Sequence, residues 1–276
     1  MSGMTTMTQA DTQARLQSDG VLVMGIVNVT PDSFSDGGQY FHPQAAIQHA
    51  YRLLEAGADI LDIGGESTRP GHTPVPADEE WRRLEPVLTE LTRHTDAVIS
   101  VDTYKGATAR RALELGVHII NDVWGGLADS DILRAAADAD CTYIWMHNRE
   151  QPAESDAFAV LLEETKRGVE RCLEAGIRPQ NLWIDPGVGF GKTYEQNLTV
   201  LRRLPEYCQL GYPVLLGTSR KRFIGRALDK EVEERLIGSL ATVSWGVMAG
   251  VRAVRVHDVA ETVQMCRMLE AICNAE

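Results

Sequence analysis

The chain has 276 residues, of which 44% are hydrophobic and 24% charged, enough apolar material for a substantial core. Its formal net charge of -12 opposes polyanionic phosphate, which excludes a general nucleic-acid or anionic-membrane binder and requires any anionic ligand to be met by locally concentrated cations. Five cysteines (Cys141, Cys172, Cys208, Cys266 and Cys273) show neither CxxC nor zinc-type spacing, and most lie in apolar stretches, as free thiols do in a reducing compartment.

Residues 1–19 are rich in Thr and Gln and lack a basic start followed by an apolar run, so they read as a flexible tail and not as a secretory signal. No apolar stretch reaches the roughly 18 residues that span a bilayer. Together these features predict a cytoplasmic protein with one domain over 20–276.

From residue 21 onward, short apolar runs alternate with longer segments of helical period. The runs cover 21–29, 59–65, 97–103, 118–123, 141–147, 181–187, 213–219 and 252–258, and each is nearly continuously apolar, as parallel strands covered on both faces are. Between them, 77–93 opens with acids in the first turn and then places Leu84, Val87, Leu88 and Leu91 three and four apart. The segment 155–175 opens on Ser155 as a helix cap and is stopped by Gly176, while Gly57 and Gly116 end two further helices. Eight strand–helix alternations in one composition regime predict a single α/β chain folded as a (β/α)8 TIM barrel. A doubly wound open sheet would show a GxGxxG after its first strand, and that turn instead reads NVTPDSFSDGG.

A barrel of this kind works at the carboxyl ends of its strands. Every run ends in polar residues: Asn28; Gly64-Gly65-Glu66-Ser67-Thr68-Arg69; Asp102; Asn121-Asp122; Met146-His147; Asp185; Thr218-Ser219-Arg220-Lys221; and Arg255 with His257. Arg255 and His257 are two apart, share a strand face, and suit a phosphate or diphosphate. Asp102, Asn121 and Asp185 offer acceptors for the donor edge of a heteroaromatic ring; three metal ligands is the alternative, without a ligand-spaced His. Backbone N–H groups at 219–221, the start of the helix after the seventh run, suit a carboxylate. Lys221 as a Schiff-base nucleophile is a weaker reading, because it follows its strand and does not lie within it. The segment DPGVGFGKT imitates a P-loop, but Pro186 stands where GxxxxGK[ST] needs glycine.

These stations resemble dihydropteroate synthase, a pterin-binding family of folate biosynthesis. The motifs are NVTPDSFSDGG from Asn28, DIGGESTRPG from Asp62, SVDTYK from Ser100, INDVWGG from Ile120, DPGVGFGKT from Asp185, LLGTSRKRFIG from Leu215 and RVHDV from Arg255. The resemblance implies a transferase that condenses 6-hydroxymethyl-7,8-dihydropterin diphosphate with 4-aminobenzoate, giving 7,8-dihydropteroate and diphosphate. It implies that Asp102, Asn121, Asp185 and Lys221 hold the pterin, with Met146 and Phe190 packing near it. Asn28, Arg255 and His257 would hold the diphosphate, Asn28 as a ligand of Mg2+, the expected cofactor. Phe34, Thr68, Arg69, Pro70 and Ser219 would form the aminobenzoate pocket, the site at which sulfonamides act in the family. Asp102, Lys221 and Arg255 are the expected catalytic residues, and a homodimer without nucleic-acid or membrane partners is the expected assembly.

Two departures stand out. Arg222 replaces a serine common in relatives, and the loop MHNREQPAESDAF lacks their Gly-x-Pro pattern. The competing readings are a folate methyl-transferring barrel, which has less need of the Arg255–His257 diphosphate site, and a pterin-binding paralogue without catalysis.

Overall fold

The computed structural model describes residues 9–29, 43–67 and 73–275. Eight parallel strands form one sheet: β1 (Leu22–Asn28), β2 (Ile60–Gly64), β3 (Val98–Asp102), β4 (Ile119–Asp122), β5 (Thr142–Met146), β6 (Leu182–Asp185), β7 (Leu215–Leu216) and β8 (Ala253–Val256). Their order is β6-β5-β4-β3-β2-β1-β8-β7, and a parallel bridge between Ile184 and Val214 joins the two ends into a barrel. All eight predicted runs contain their strand, and the fold is the expected TIM barrel.

The wall of helices comprises α2 (Pro43–Glu55), α3 (Ala77–His94), α4 (Gly106–Glu114), α5 (Asp131–Asp138), α6 (Ala157–Glu174), α7 (Tyr194–Arg202), α8 (Leu204–Cys208), α9 (Arg222–Leu228), α10 (Leu236–Ala249) and α11 (Val259–Cys273), after an initial α1 (Gln9–Leu16). Gly57, Gly116 and Gly176 take the left-handed conformation expected of helix stops, with φ of 95°, 91° and 99°. Ser155 is not the cap of α6: Asp156 is, accepting from the backbone N–H groups of Phe158 and Ala159. A carboxylate there satisfies two otherwise unpaired donors and also complements the helix dipole.

Two buried layers follow from the period of two along each strand. Leu22, Met24, Ile60, Val98, Ile119, Ile144, Trp183, Leu215 and Ala253 point inward and fill the barrel floor. Their neighbours, such as Val23, Leu61, Ile99, Ile120, Tyr143, Ile184, Leu216 and Val254, point outward against the helices.

The expectation of a flexible tail over 1–19 needs correction for its second half. Leu16, at the end of α1, is buried in the same cluster as the inward floor residues, so the helix closes the amino end of the barrel. Gln13 donates to Asn181 at 2.8 Å, and Arg252 grips the carbonyls of Leu16, Ser18 and Gly20. Leu16 is the one large apolar residue of the described part of this segment, and that is the sequence signal for the seat. Among the described residues no helix is long and apolar enough to cross a membrane.

Candidate active site

The same alternation sorts the polar strand ends. Asp62 on β2, Asp102 on β3, Asn121 on β4, Met146 on β5, Asp185 at the end of β6 and Arg255 on β8 share the parity of the floor residues, one layer or more above them. The strand register places Gly64, Asp102 and Asn121 side by side, with Met146 beside Asp185. Asn28 shares the inward parity at the end of β1, opposite Gly64, and is half-buried.

Arg255 lies across two carboxylates. Its Nε donates to Asp62 Oδ2 at 2.5 Å and an Nη donates to Asp102 Oδ2 at 2.7 Å. Asp62 Oδ2 also accepts from the Asn121 amide at 3.1 Å, so one oxygen ties the arginine to the amide. The other oxygens, Asp62 Oδ1 and Asp102 Oδ1, and the Ser100 hydroxyl are enclosed without a partner among the described residues. Buried polar atoms of this kind call for a donor, because leaving them unsatisfied costs on the order of 1–3 kcal/mol each. Burial pushes the Asp102 carboxyl up to about 7; the Arg255 charge pulls it down, and the charges of Asp62, Glu80 and Asp122 push it up.

Asp185 accepts from the Gly187 N–H at 2.7 Å and is raised by burial, against the opposing pull of Lys221. The Lys221 ammonium bonds the Val188 carbonyl and lies 4.7 Å from the centre of the Phe190 ring, a cation–π contact. Burial brings it down to about 8, with Asp185 holding it up. At the rim, His257 Nδ1 and the Ser219 hydroxyl are 3.0 Å apart.

Several expected residues do not fit their stations. Asp122 and His147 point outward. Asp122 accepts from the Tyr143 hydroxyl and from the N–H groups of Trp124 and Gly126, and it organises the turn after β4. His147 bonds Glu164 on α6. Residues 219–221 are a turn and not a helix start: Arg220 takes φ 56°, α9 begins at Arg222, and Lys221 precedes it in extended geometry. Arg220 is engaged in an ion pair with Asp258, whereas Arg222 is exposed. Phe34, Thr68, Arg69 and Pro70 lie outside the described residues. Asp62 was not among the expected site residues, although an acid inside the apolar run ILDIG, at the inward parity of Gly64, marks it.

Inward carboxylates, an amide, a half-buried lysine and a carboxylate-clamped arginine at the carboxyl mouth define a (β/α)8-barrel enzyme for a small polar ligand. The pterin binding enzyme family matches over residues 24–257. Dihydropteroate synthase of Bacillus subtilis is 47% identical over 253 residues, covering 92% of this chain and 89% of that protein. Two Xanthomonas albilineans dihydropteroate synthase structures superpose closely. One, with 4-aminobenzoic acid, has a TM-score of 0.90 at 44% identity, and the other, with 7,8-dihydropteroate, has 0.87 at 41%; each alignment covers 94% of this chain and 95% of the other. The chain belongs to the pterin binding enzyme family, among its dihydropteroate synthases.

Proposed function

We infer that the chain is a transferase of folate biosynthesis, condensing 6-hydroxymethyl-7,8-dihydropterin diphosphate with 4-aminobenzoate to give 7,8-dihydropteroate and diphosphate. One observation carries the site assignment: Asp102 presents an unpartnered oxygen inside the barrel while its other oxygen holds Arg255. A single carboxylate is thus offered to a ring donor on one side and tied to a diphosphate-binding cation on the other.

In this reading Asp102, Asn121, Asp185 and Lys221 hold the pterin, and Met146 and Phe190 pack against it. Departure of diphosphate breaks the methylene C–O bond and leaves a cation delocalised into the pterin, beside the Asp102 carboxylate. The arylamine lone pair then forms the C–N bond, and its extra proton leaves to solvent or diphosphate. Arg255 and His257 receive the leaving group, Ser219 meets the aminobenzoate, and the family resemblance assigns Phe34, Thr68, Arg69 and Pro70 to the same substrate.

Asn28 brings a hard oxygen donor to the same rim, and no group of three or more His, Cys, Asp or Glu side chains among the described residues could hold a metal. That donor chemistry fits Mg2+ held by Asn28 and diphosphate oxygens, and the ion would draw charge from the leaving group. The protein is proposed to be cytoplasmic and to pair as a homodimer through α10 and α11, which expose Ile237, Met248, Met268 and Ile272.

The test is product formation. Protein with the pterin diphosphate, 4-aminobenzoate and Mg2+ yields dihydropteroate and diphosphate in equal amounts; pterin binding without turnover refutes the assignment.

A further inference from the structure

The lysine of the P-loop-like segment, Lys192, has no part in the chemistry above, yet its ammonium is fully committed. It lies 2.9 Å from His147 Nδ1 and donates to the carbonyls of Gly187 at 2.9 Å and Phe190 at 3.1 Å. These are the two ends of the turn that follows Asp185, and the Phe190 N–H itself returns to the Gly187 carbonyl. His147 Nε2 in turn meets Glu164 on α6 at 2.8 Å, and Arg149 binds the other oxygen of that carboxylate.

The backbone fits this arrangement closely. Gly187 and Gly191 take φ of 63° and 51°. A Cβ at Gly187 would sit 1.8 Å from the His147 carbonyl oxygen, and one at Gly191 would sit 2.3 Å from that of Arg149. The turn after β6 is therefore laid directly on the segment after β5, and only glycine permits the approach.

The proton arrangement is consistent. Burial brings the Lys192 ammonium down to about 7, with Asp185 holding it up. Burial, reinforced by the Lys192 and Arg149 charges, brings His147 down to about 2, so below about pH 7 the lysine carries the proton and the imidazole is neutral. It then accepts from the ammonium at Nδ1 and donates from Nε2 to Glu164. Lys221 bonds the Val188 carbonyl and lies over Phe190, so the turn is held by a second ammonium as well.

We propose that Lys192 is a positioning residue for the pterin site: bridging His147 to the carbonyls of Gly187 and Phe190, it latches the turn after β6 to the end of β5 and so fixes Asp185 and Phe190. The inference rests on the reading of Asp185 and Phe190 as pterin-binding residues. Lys192→Met keeps the stem and removes the three donors.

The expected result is KM for the pterin diphosphate raised at least about tenfold, with kcat changed by less than about threefold. Binding of 6-hydroxymethylpterin weakens in parallel, and amide exchange accelerates over residues 187–191. His147→Leu reproduces the effect, His147→Gln keeps an acceptor and so retains much of the wild-type pterin binding, and the Lys192→Met/His147→Leu double variant loses little more than either single. Wild-type pterin binding in folded Lys192→Met, or additive losses in the double variant, would overturn the proposal. Should Lys192→Met not fold, the His147→Leu and His147→Gln pair decides: equal pterin binding in both overturns it. Asp185→Asn separates the premise, because undiminished pterin binding there overturns the reading of the site itself.

Discussion

Replacing Asp62 by Asn removes one charge at nearly constant volume from the centre of the site. The carboxylate is fully enclosed, and its Oδ2 accepts from Arg255 at 2.5 Å and from Asn121 at 3.1 Å. Hydrogen bonds to charged groups contribute about 1.5–3 kcal/mol, and breaking a buried ion pair costs up to about 3–5 kcal/mol. Arg255 retains Asp102 at 2.7 Å, so the lower range applies. At roughly 1.4 kcal/mol per tenfold, kcat/KM for the pterin diphosphate falls about 10- to 100-fold. A second readout has a definite sign. Asp102 is raised to about 7, by burial first and in part by the Asp62 charge, while Arg255 opposes. With that charge gone, Asp102 ionises at lower pH, and the acid limb of the kcat/KM profile shifts toward acid. The assay is kcat/KM in Mg2+ buffers across that limb, with thermal melts to confirm folding. A rate within about threefold of wild type and an unmoved limb would refute this account of the clamp.

Other perturbations act elsewhere. Leu16→Ala opens a hole under the barrel floor and costs about 2–4 kcal/mol, read as a Tm drop of roughly 5–10 °C; an unchanged Tm would mean that α1 is not seated there. His118 Nδ1 accepts from the Ile99 N–H, and burial, reinforced by Arg15, brings its pKa down to about 4 from 6.5. The unfolded chain therefore takes this proton first, and stability present above about pH 6.5 is lost as pH falls toward 4. The loss is about 2 kcal/mol by pH 5 in urea unfolding, and His118→Gln removes that part. Met268→Glu with Ile272→Glu charges the exposed face of α11 and gives monomers in sedimentation; an undisturbed dimer would place the interface elsewhere.

The barrel was legible because apolar runs and helical periods alternate eight times, and tertiary packing reinforced those local patterns. The site was legible in outline only. The polar strand ends do not all face the site, because adjacent residues on a strand face opposite sides of the wall. Applying the two-residue period to every strand separates inward Asn121 from outward Asp122, and inward Met146 from outward His147. The same period brings Asp62, hidden inside ILDIG, into the site with Asp102 and Arg255. Two features had no local signal: the left-handed Arg220, which delays α9 to Arg222, and the ion pair that commits Arg220 to Asp258. Partners distant in sequence decide such details, as they do for the Lys192–His147 contact.

Diphosphate departure into an inward rim that stabilises a pterin cation is the central claim, and positional isotope exchange tests it most directly. Pterin diphosphate carrying heavy oxygen in the C–O–P bridge is held on the enzyme with Mg2+ and benzoate in place of the amine. The account predicts that the label scrambles into non-bridging positions of recovered substrate, and that Asp102→Asn suppresses it. A bridge label that stays in place, under conditions where 4-aminobenzoate turns over normally, would contradict the cation and indicate direct displacement.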